Sequence, residues 1–406
     1  MDVAIIGGGA AGFFAAISVK DHHPESTVII YEKSQQLLGK VKISGGGRCN
    51  VTNSCTTLDE LAAAYPRGGR FLKKAFQTFS TQHTMAWFES RGVPLLVQAD
   101  TCVFPESQYS QDIIDCFLDQ AEDLGIEIKR GMGIESIKQN NQKLELIFQK
   151  TDQNVRVYDK VIVATGGSPR REGLEWLENL QHKIVDPVPS LFTFNLPTES
   201  ITGLTGVAVE RTIVSIQGSK LKSEGPLLIT HWGFSGPAIL KLSAFAARVL
   251  NEMAYEFKIQ VNWVNEPNHE IVLAELNRIQ MEHGQKLLTN LKPFALPDRL
   301  WRYLLYKAGF SLPKKWGELG KKGLNKLVNS LINDVYSASG KTGFKEEFVT
   351  CGGVSLESID SKTMESKVCK NLYFAGEIMD IDGITGGFNF QAAWTTAFIA
   401  GKLQAS

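Results

Sequence analysis

Cysteine is scarce in this chain, and nowhere is it organised. Six occur among 406 residues, Cys49, Cys55, Cys102, Cys116, Cys351 and Cys369, and no two form a Cys-x-x-Cys pair. That density excludes a disulfide-stapled scaffold and fits a reducing compartment. The seven histidines show no zinc-ligand spacing with the cysteines or with one another. A surplus of either charge is also missing. Lys plus Arg and Asp plus Glu both total 43, so no global field gathers nucleic acid or anionic lipid, although a local patch is compatible with this balance. No apolar run reaches the roughly 18 residues that span a bilayer. The opening stretch MDVAIIGGGAAGFFAAISV has Asp2 where a signal peptide has its basic start, and three glycines interrupt its apolar run. The expectation is a cytoplasmic protein without a membrane segment. The length exceeds one ordinary core and calls for two or three domains.

What is present is glycine at strand ends. Residues 3–6 form a short apolar run stopped by Gly7-Gly8-Gly9, the pattern of a strand buried on both faces. Residues 10–20 read as a small-residue helix, and residues 27–31 (TVIIY) as a second strand closed by Glu32. Together these make a βαβ unit. Residues 34–53 read as a long functional loop, residues 67–91 and 112–124 as helices, and residues 160–164 (KVIVA) as a further buried strand. Beyond Pro187-Val188-Pro189 the pattern turns to short strands, then to Lys- and Leu-rich helices. Glycine-rich character returns near Val349. The chain therefore reads as α/β, with a nucleotide domain made of both ends (1–190 and 349–406). Between them lie a β-rich segment (191–265), a helical segment (266–335) and a return to the β-rich part (336–348).

Four constellations carry chemistry. In Gly7-x-Gly9-x-x-Gly12, Gly7 permits the tight turn, Gly9 lets backbone approach a pyrophosphate, and Gly12 lets helix and strand pack. Ala10 and Ala11 open the helix whose free N–H groups and positive dipole face the phosphates. Glu32, twenty residues past Gly12, is placed to accept from an adenosine ribose. The second is Ser44-Gly45-Gly46-Gly47-Arg48-Cys49-Asn50-Val51-Thr52-Asn53. Three glycines cost backbone entropy and suit backbone lying against a flat or anionic group, with Arg48, Asn50, Thr52 and Asn53 as donors. The third is Thr165-Gly166-Gly167 after a buried strand. The fourth runs from Gly376-Glu377 through Asp380 to Gly387-Phe388-Asn389. There Glu377 suits flavin ribityl hydroxyls, and the helix N-terminus near Gly387 suits the flavin N1–C2=O edge. Asp380-x-Asp382-Gly383 lacks the later ligands of a calcium loop.

These motifs, with VFPESQYS, THWGFSGPAILKLS and VTCGGVSLESIDSKTMESK, resemble those of the BaiN-like, or aminoacetone-oxidase-like, family of FAD-binding flavoproteins. The resemblance spans nearly the whole chain. It implies FAD, redox chemistry, and a Rossmann-like FAD-binding domain with an inserted β-barrel-like domain and a helical domain. It carries FAD contacts onto Gly7, Gly9, Gly12, Glu32, Lys33, Lys40, Arg48, Cys49, Asn50, Thr165, Gly166, Glu377, Asp380 and Asn389, with Ile134 at the adenine. Ala10, Ala11, Gly46, Gly47, Gly376, Gly387 and Phe388 complete the cofactor-binding set. Gly39-Lys40-Val41-Lys42 departs from the family's Gly-Arg/Lys-Lys-Leu.

Among rival readings, a pyridine-nucleotide disulfide oxidoreductase would use Cys49 and Cys55. Their spacing is one residue too long, no second Gly-x-Gly-x-x-Gly exists, and no histidine follows His283. An RNA-modifying flavoprotein is disfavoured by the balanced charge, and Lys314-Lys315 and Lys321-Lys322 read as a solvated face. His231-Trp232 is a candidate substrate-facing loop, or else a packed pair at a strand end. No Ser-His-Asp or paired-carboxylate assembly stands out; with the flavin that the resemblance implies doing the hydride chemistry, a single residue or a water suffices as acid or base. The expectation is an FAD-dependent oxidoreductase acting on a small organic molecule, with NAD(P)H as transient electron donor. A flavin-dependent amine or alcohol oxidase using O2, or an RNA-modifying or RNA-binding flavoprotein, is the alternative.

Overall fold

A computed structural model describes residues 1–149, 155–340 and 349–404. The expected β return at 336–348 thus lies partly outside the described residues. The chain divides into two compact units, Met1–Pro189 with Val349–Ser406, and Ser190–Phe348.

The first unit is built on a five-stranded sheet in the order Leu372–Phe374, Lys160–Val163, Asp2–Ile6, Thr27–Glu32, Glu127–Arg130. Every neighbouring pair in it is parallel. Val3, Ala4 and Ile5 are fully buried, as a strand covered on both faces requires. The helices Ala10–His22 and Phe388–Gly401 are buried along most of their lengths and pack on each other through small residues. A Cβ at Gly401 would lie 2.5 Å from Ser18, whose hydroxyl donates to the Phe398 carbonyl. A three-stranded antiparallel sheet (Ile134–Asn140, Lys143–Phe148, Val155–Tyr158) and a smaller one (Thr52–Asn53, Cys102–Pro105, Leu95–Val97) are inserted in the sequence between strands of the main sheet.

Two local expectations are corrected. The single helix over 67–91 is two, Gly69–Phe76 and Thr81–Glu89. Ser80 breaks it by capping the second, with His83 returning a bond to the Ser80 amide. The loop over 34–53 contains a helical segment, Gly39–Gly47, interrupted where Ser44, Gly45 and Gly46 leave helical geometry.

The second unit carries a six-stranded antiparallel sheet, Phe194–Asn195, Gly233–Ser235, Lys222–Ile229, Ala208–Ile216, Glu256–Asn262 and Asp334–Ser339. Its two edge strands approach within 8 Å, so the sheet curls on itself. Its helices include Pro237–Glu252, His269–His283, Asp298–Lys307 and Lys321–Ile332. One apolar core serves strands and helices alike: Phe234 and Tyr336 from the sheet and Trp263 from the turn after the Glu256–Asn262 strand join Trp301, Trp316 and Leu327 from the helices. Among the described residues no helix is long and apolar enough to cross a membrane.

Candidate cofactor site

The first unit's glycines fall into two classes. One class packs. Gly7 sits at φ 115, and a Cβ there would lie 2.4 Å from the Ala164 carbonyl oxygen. At Gly12 a Cβ would lie 1.9 Å from the Gly7 oxygen, at Gly376 2.9 Å from the Ala11 side chain, and at Gly387 2.3 Å from the Thr52 oxygen. These glycines weld the four motifs to one another. The second class faces open space: a Cβ at Gly9, Gly46, Gly47 or Gly166 meets nothing within 4 Å. At Gly46, Gly47 and Gly166 the left-handed backbone (φ 70, 84 and 75) itself asks for glycine, whereas Gly9, at φ −97, is constrained by neither backbone nor packing and leaves room for a ligand to approach the backbone closely.

Beside them is a cavity of about 410 Å³ lined by Gly7, Glu32, Lys33, Ile134, Thr165 and Gly166, together with Tyr31, Met132, Glu135 and Trp176. That volume lies in the range of ligand pockets. The Glu32 carboxylate accepts from the Gly8 amide on one oxygen and from the Ser34 amide on the other, both at 2.8 Å. Two backbone bonds aim it, and lone pairs remain for hydroxyl donors. Ile134 opens its strand, and its carbonyl accepts from Gln149 Nε2.

Glu377 ties the fourth constellation to Lys40, ahead of the second constellation, and to the Val349–Val354 strand. One carboxylate oxygen accepts from Lys40 Nζ at 2.7 Å, the other from the Thr350 amide at 2.8 Å. Asn50, oriented so that its oxygen accepts from the Gly387 amide at 3.1 Å, also donates to the Thr52 carbonyl. Asn53 donates to the Gly386 carbonyl. Arg48 stacks on Phe104 with its guanidinium carbon 4.2 Å from the ring centre, and donates to Gly45 and Gln108. Asn389 closes the 383–389 turn, accepting from the Gly383 amide and donating to its carbonyl. Phe388 opens the last helix, and its carbonyl accepts from Tyr65. Asp380 donates its amide to Val354. Thus all four constellations converge within one unit. His231 and Trp232 belong to the other, their rings edge to face at 4.5 Å and the indole N–H donating to Thr193.

Three supports had no signal in the sequence. Gln391, fully buried, accepts from Thr52 and Thr84 and donates to Thr395. Trp394 donates to the Val51 carbonyl, so the last helix clamps the 50–53 loop from beneath. Arg67 makes a two-pronged pair with the fully buried Asp382. Burial pulls the Arg67 guanidinium down, but the bonds and charge of Asp382 outweigh it, and the net shift is upward. A distant residue at a motif's edge is invisible until the chain folds.

The cysteines do not form a redox pair. All six are free thiols. Cys49 is fully buried at φ 60, and burial pushes its thiol up to about 12. Burial likewise raises Cys55. Thiolate is the exchanging species, so both are poorly disposed to disulfide chemistry. Among the described residues no group of three or more metal-ligating side chains gathers.

Comparison with known proteins agrees with this geometry. The chain is 28% identical to the ribosomal RNA dihydrouridine synthase of Escherichia coli, covering 98% of this chain and 96% of that protein. It is 26% identical to the ribosomal RNA dihydrouridine synthase of Haemophilus influenzae, covering 97% and 96%. It is 25% identical to the 3-dehydro-bile acid delta(4,6)-reductase of Clostridium scindens, covering 99% and 98%. In fold it is similar to the 3-ketosteroid delta1-dehydrogenase from Sterolibacterium denitrificans, at 12% identity, a TM-score of 0.51 and 98% coverage of both chains. Residues 1–403 match the HI0933-like protein Rossmann domain, and the chain belongs to that family of FAD-dependent oxidoreductases.

Proposed function

We propose that this enzyme reduces a carbon–carbon double bond conjugated to a carbonyl, with NAD(P)H as the electron source. The observation that carries this reading is the chemistry shared by the relatives' names. A 3-dehydro-bile acid with a delta(4,6) system presents double bonds in conjugation with its ketone, and the uracil C5=C6 bond is conjugated to C4=O. Both reductions add two electrons and two protons: NAD(P)H and H⁺ are consumed, and NAD(P)⁺ and the saturated product are released. FAD, when bound, supplies the two-electron step between the two substrates.

The residues fit FAD in definite places. Glu32 and the 410 Å³ cavity take the adenosine, with Ile134 beside the adenine. Gly9 and the start of the Ala10–His22 helix take the pyrophosphate. The Lys40–Glu377 pair and the open backbone at Gly46 and Gly47 border the rest. His231, exposed in the insert, is the proposed substrate-side residue with Trp232. The six free thiols fit a reducing, cytoplasmic setting.

The substrate itself has two readings, a small enone and uracil within ribosomal RNA. The second is favoured because two of the relatives bear that name. The test is anaerobic turnover with NADPH or NADH and, separately, a steroid dienone and protein-free ribosomal RNA. Loss of enone absorbance or appearance of dihydrouridine supports the proposal. Oxygen consumption with an amine or alcohol, and no reduction of either acceptor, supports the oxidase reading and refutes it.

A further inference from the structure

The inserted unit is electrically lopsided. Residues 284–326 hold ten Lys or Arg against two Asp or Glu, whereas residues 266–283 hold four Glu against one Arg. The fold packs the two blocks side by side, the His269–His283 helix against the Lys321–Ile332 helix and the turn at Trp316. On the His269–His283 helix, Arg278 is already spent on Glu275 and Glu282. Among the ten cations, Lys292 pairs with Asp298 and Lys307 with Asp334.

Five of the remaining lysines are gathered at one end of the helical part. Leu287 bridges Lys315, the Leu288 amide donates to the Lys314 carbonyl, and the Trp316 amide donates to the Lys286 carbonyl. Lys286, Lys314 and Lys315 therefore lie on two adjacent backbone segments. The same segments are anchored by Gln280, whose amide nitrogen donates to the Trp316 and Leu319 carbonyls. Two residues past Leu319, Lys321 and Lys322 open the Lys321–Ile332 helix, whose first turn holds no acid. Lys286, Lys315, Lys321 and Lys322 are exposed and Lys314 is half-exposed. Among the described residues none of the five pairs with a carboxylate. The nearby acid, Glu318, is turned to the Lys315 backbone amide, and the Lys315 ammonium meets the Gln285 amide oxygen. The core beneath is made by Trp316, Leu319 and Leu324.

Like charges held together without counter-ions repel one another, and an anionic partner relieves that repulsion. A polyanion with evenly spaced charges matches a spread of five ammonium groups better than a single small anion does. We propose that this basic end of the insert docks the phosphate backbone of RNA. The inference rests on the reading of uracil within ribosomal RNA as the substrate. It adds the surface that would recruit such a molecule, one that the zero net charge of the whole chain conceals.

The experiment is filter binding of the FAD-loaded protein to protein-free ribosomal RNA across a salt series. The fivefold variant Lys286→Gln/Lys314→Gln/Lys315→Gln/Lys321→Gln/Lys322→Gln should bind at least about tenfold more weakly. Its slope of log affinity against log salt should be shallower by about 3 to 5. The pair Lys321→Gln/Lys322→Gln alone should lose about 1 to 2 of that slope, which covers a fivefold variant that folds poorly. A control with the exposed Lys220, Lys222, Lys258, Lys362 and Lys370 changed to Gln should bind as the parent does. Equal weakening by the control set, or parental binding by the fivefold variant, overturns the proposal. So does a fivefold variant that loses anionic phosphatidylserine vesicles while keeping RNA. Dihydrouridine formation by the parent is scored separately. If it occurs while the lysine variants bind normally, the surface is wrong and the substrate reading stands. If binding depends on the lysines and no dihydrouridine forms, the surface stands and the substrate reading falls.

Discussion

At Glu32, two backbone amides hold the carboxylate before any ligand arrives. The side chain thus has a structural duty and a proposed binding duty, and two substitutions separate them. Glu32→Gln keeps an acceptor for one amide but loses the charge. Glu32→Ala loses both. FAD affinity of the apoprotein should fall by about 1–3 kcal/mol in Glu32→Ala, the scale of hydrogen bonds to a charged acceptor, and by less in Glu32→Gln. Unchanged affinity in a fluorescence titration of either variant against the parent would remove Glu32 from the ribose. Cys55 offers a contrasting test. Its thiol is shifted upward by burial and its would-be partner Cys49 is sealed in the core. Cys55→Ser should therefore keep turnover within about twofold, since a thiol that stays protonated does no exchange. A collapse of NAD(P)H-dependent turnover in that variant would restore the disulfide-reductase reading.

Between the first strand and first helix, Gly9 and Gly12 make opposite demands. Gly9 adopts φ −97 and ψ −170, which any residue accepts, and its missing Cβ fronts open space. Gly12 would drive a methyl into the Gly7 carbonyl. Gly9→Ala should fold with less than about 1 kcal/mol lost, yet bind FAD at least about tenfold more weakly. Gly12→Ala should cost about 3 kcal/mol even in the apoprotein, because backbone cannot step aside as a side chain can. Denaturant unfolding of both apoproteins, with FAD titration, checks the pair; equal losses of stability would refute the division. This element was legible because its information is local: a buried run, a turn that needs glycine, a helix, a second strand and an acid lie within 32 residues. The supports were not. Arg67 finds Asp382 across 315 positions, and Thr52 finds Gln391 across 339. Neither pair has a spacing or periodicity to announce it. The break at Ser80 is hidden for a different reason, since apolar residues continue at helical spacing on both sides of the cap. In sequence the lysine cluster shows only as two short pairs, because the bridge from Leu287 to Lys315 that brings Lys286 beside them exists only in the fold.

Across the whole chain, the first unit has a parallel sheet entered by a glycine fingerprint, and the second unit has an antiparallel sheet without a βαβ crossover among its described residues. Among the described residues there is one dinucleotide fold, and in the proposed function FAD takes it. The proposed donor NAD(P)H would then lack a Rossmann platform of its own among those residues, with nothing there to retain it tightly beside a second bound substrate. The two substrates should accordingly use the enzyme in turn. Initial rates measured at several fixed acceptor concentrations should give parallel double-reciprocal lines against NAD(P)H, the pattern of a ping-pong sequence. High acceptor concentration should inhibit competitively with NAD(P)H, because each enters the place the other has left. NAD(P)H alone, mixed anaerobically with the FAD-loaded protein, should bleach the yellow absorbance without any acceptor present. Intersecting lines, together with bleaching that waits for the acceptor, would require both substrates to be bound at once and would overturn this account. The same pair of measurements reads equally well with a steroid dienone or with ribosomal RNA as acceptor, so it tests the order of electron flow independently of which molecule is reduced.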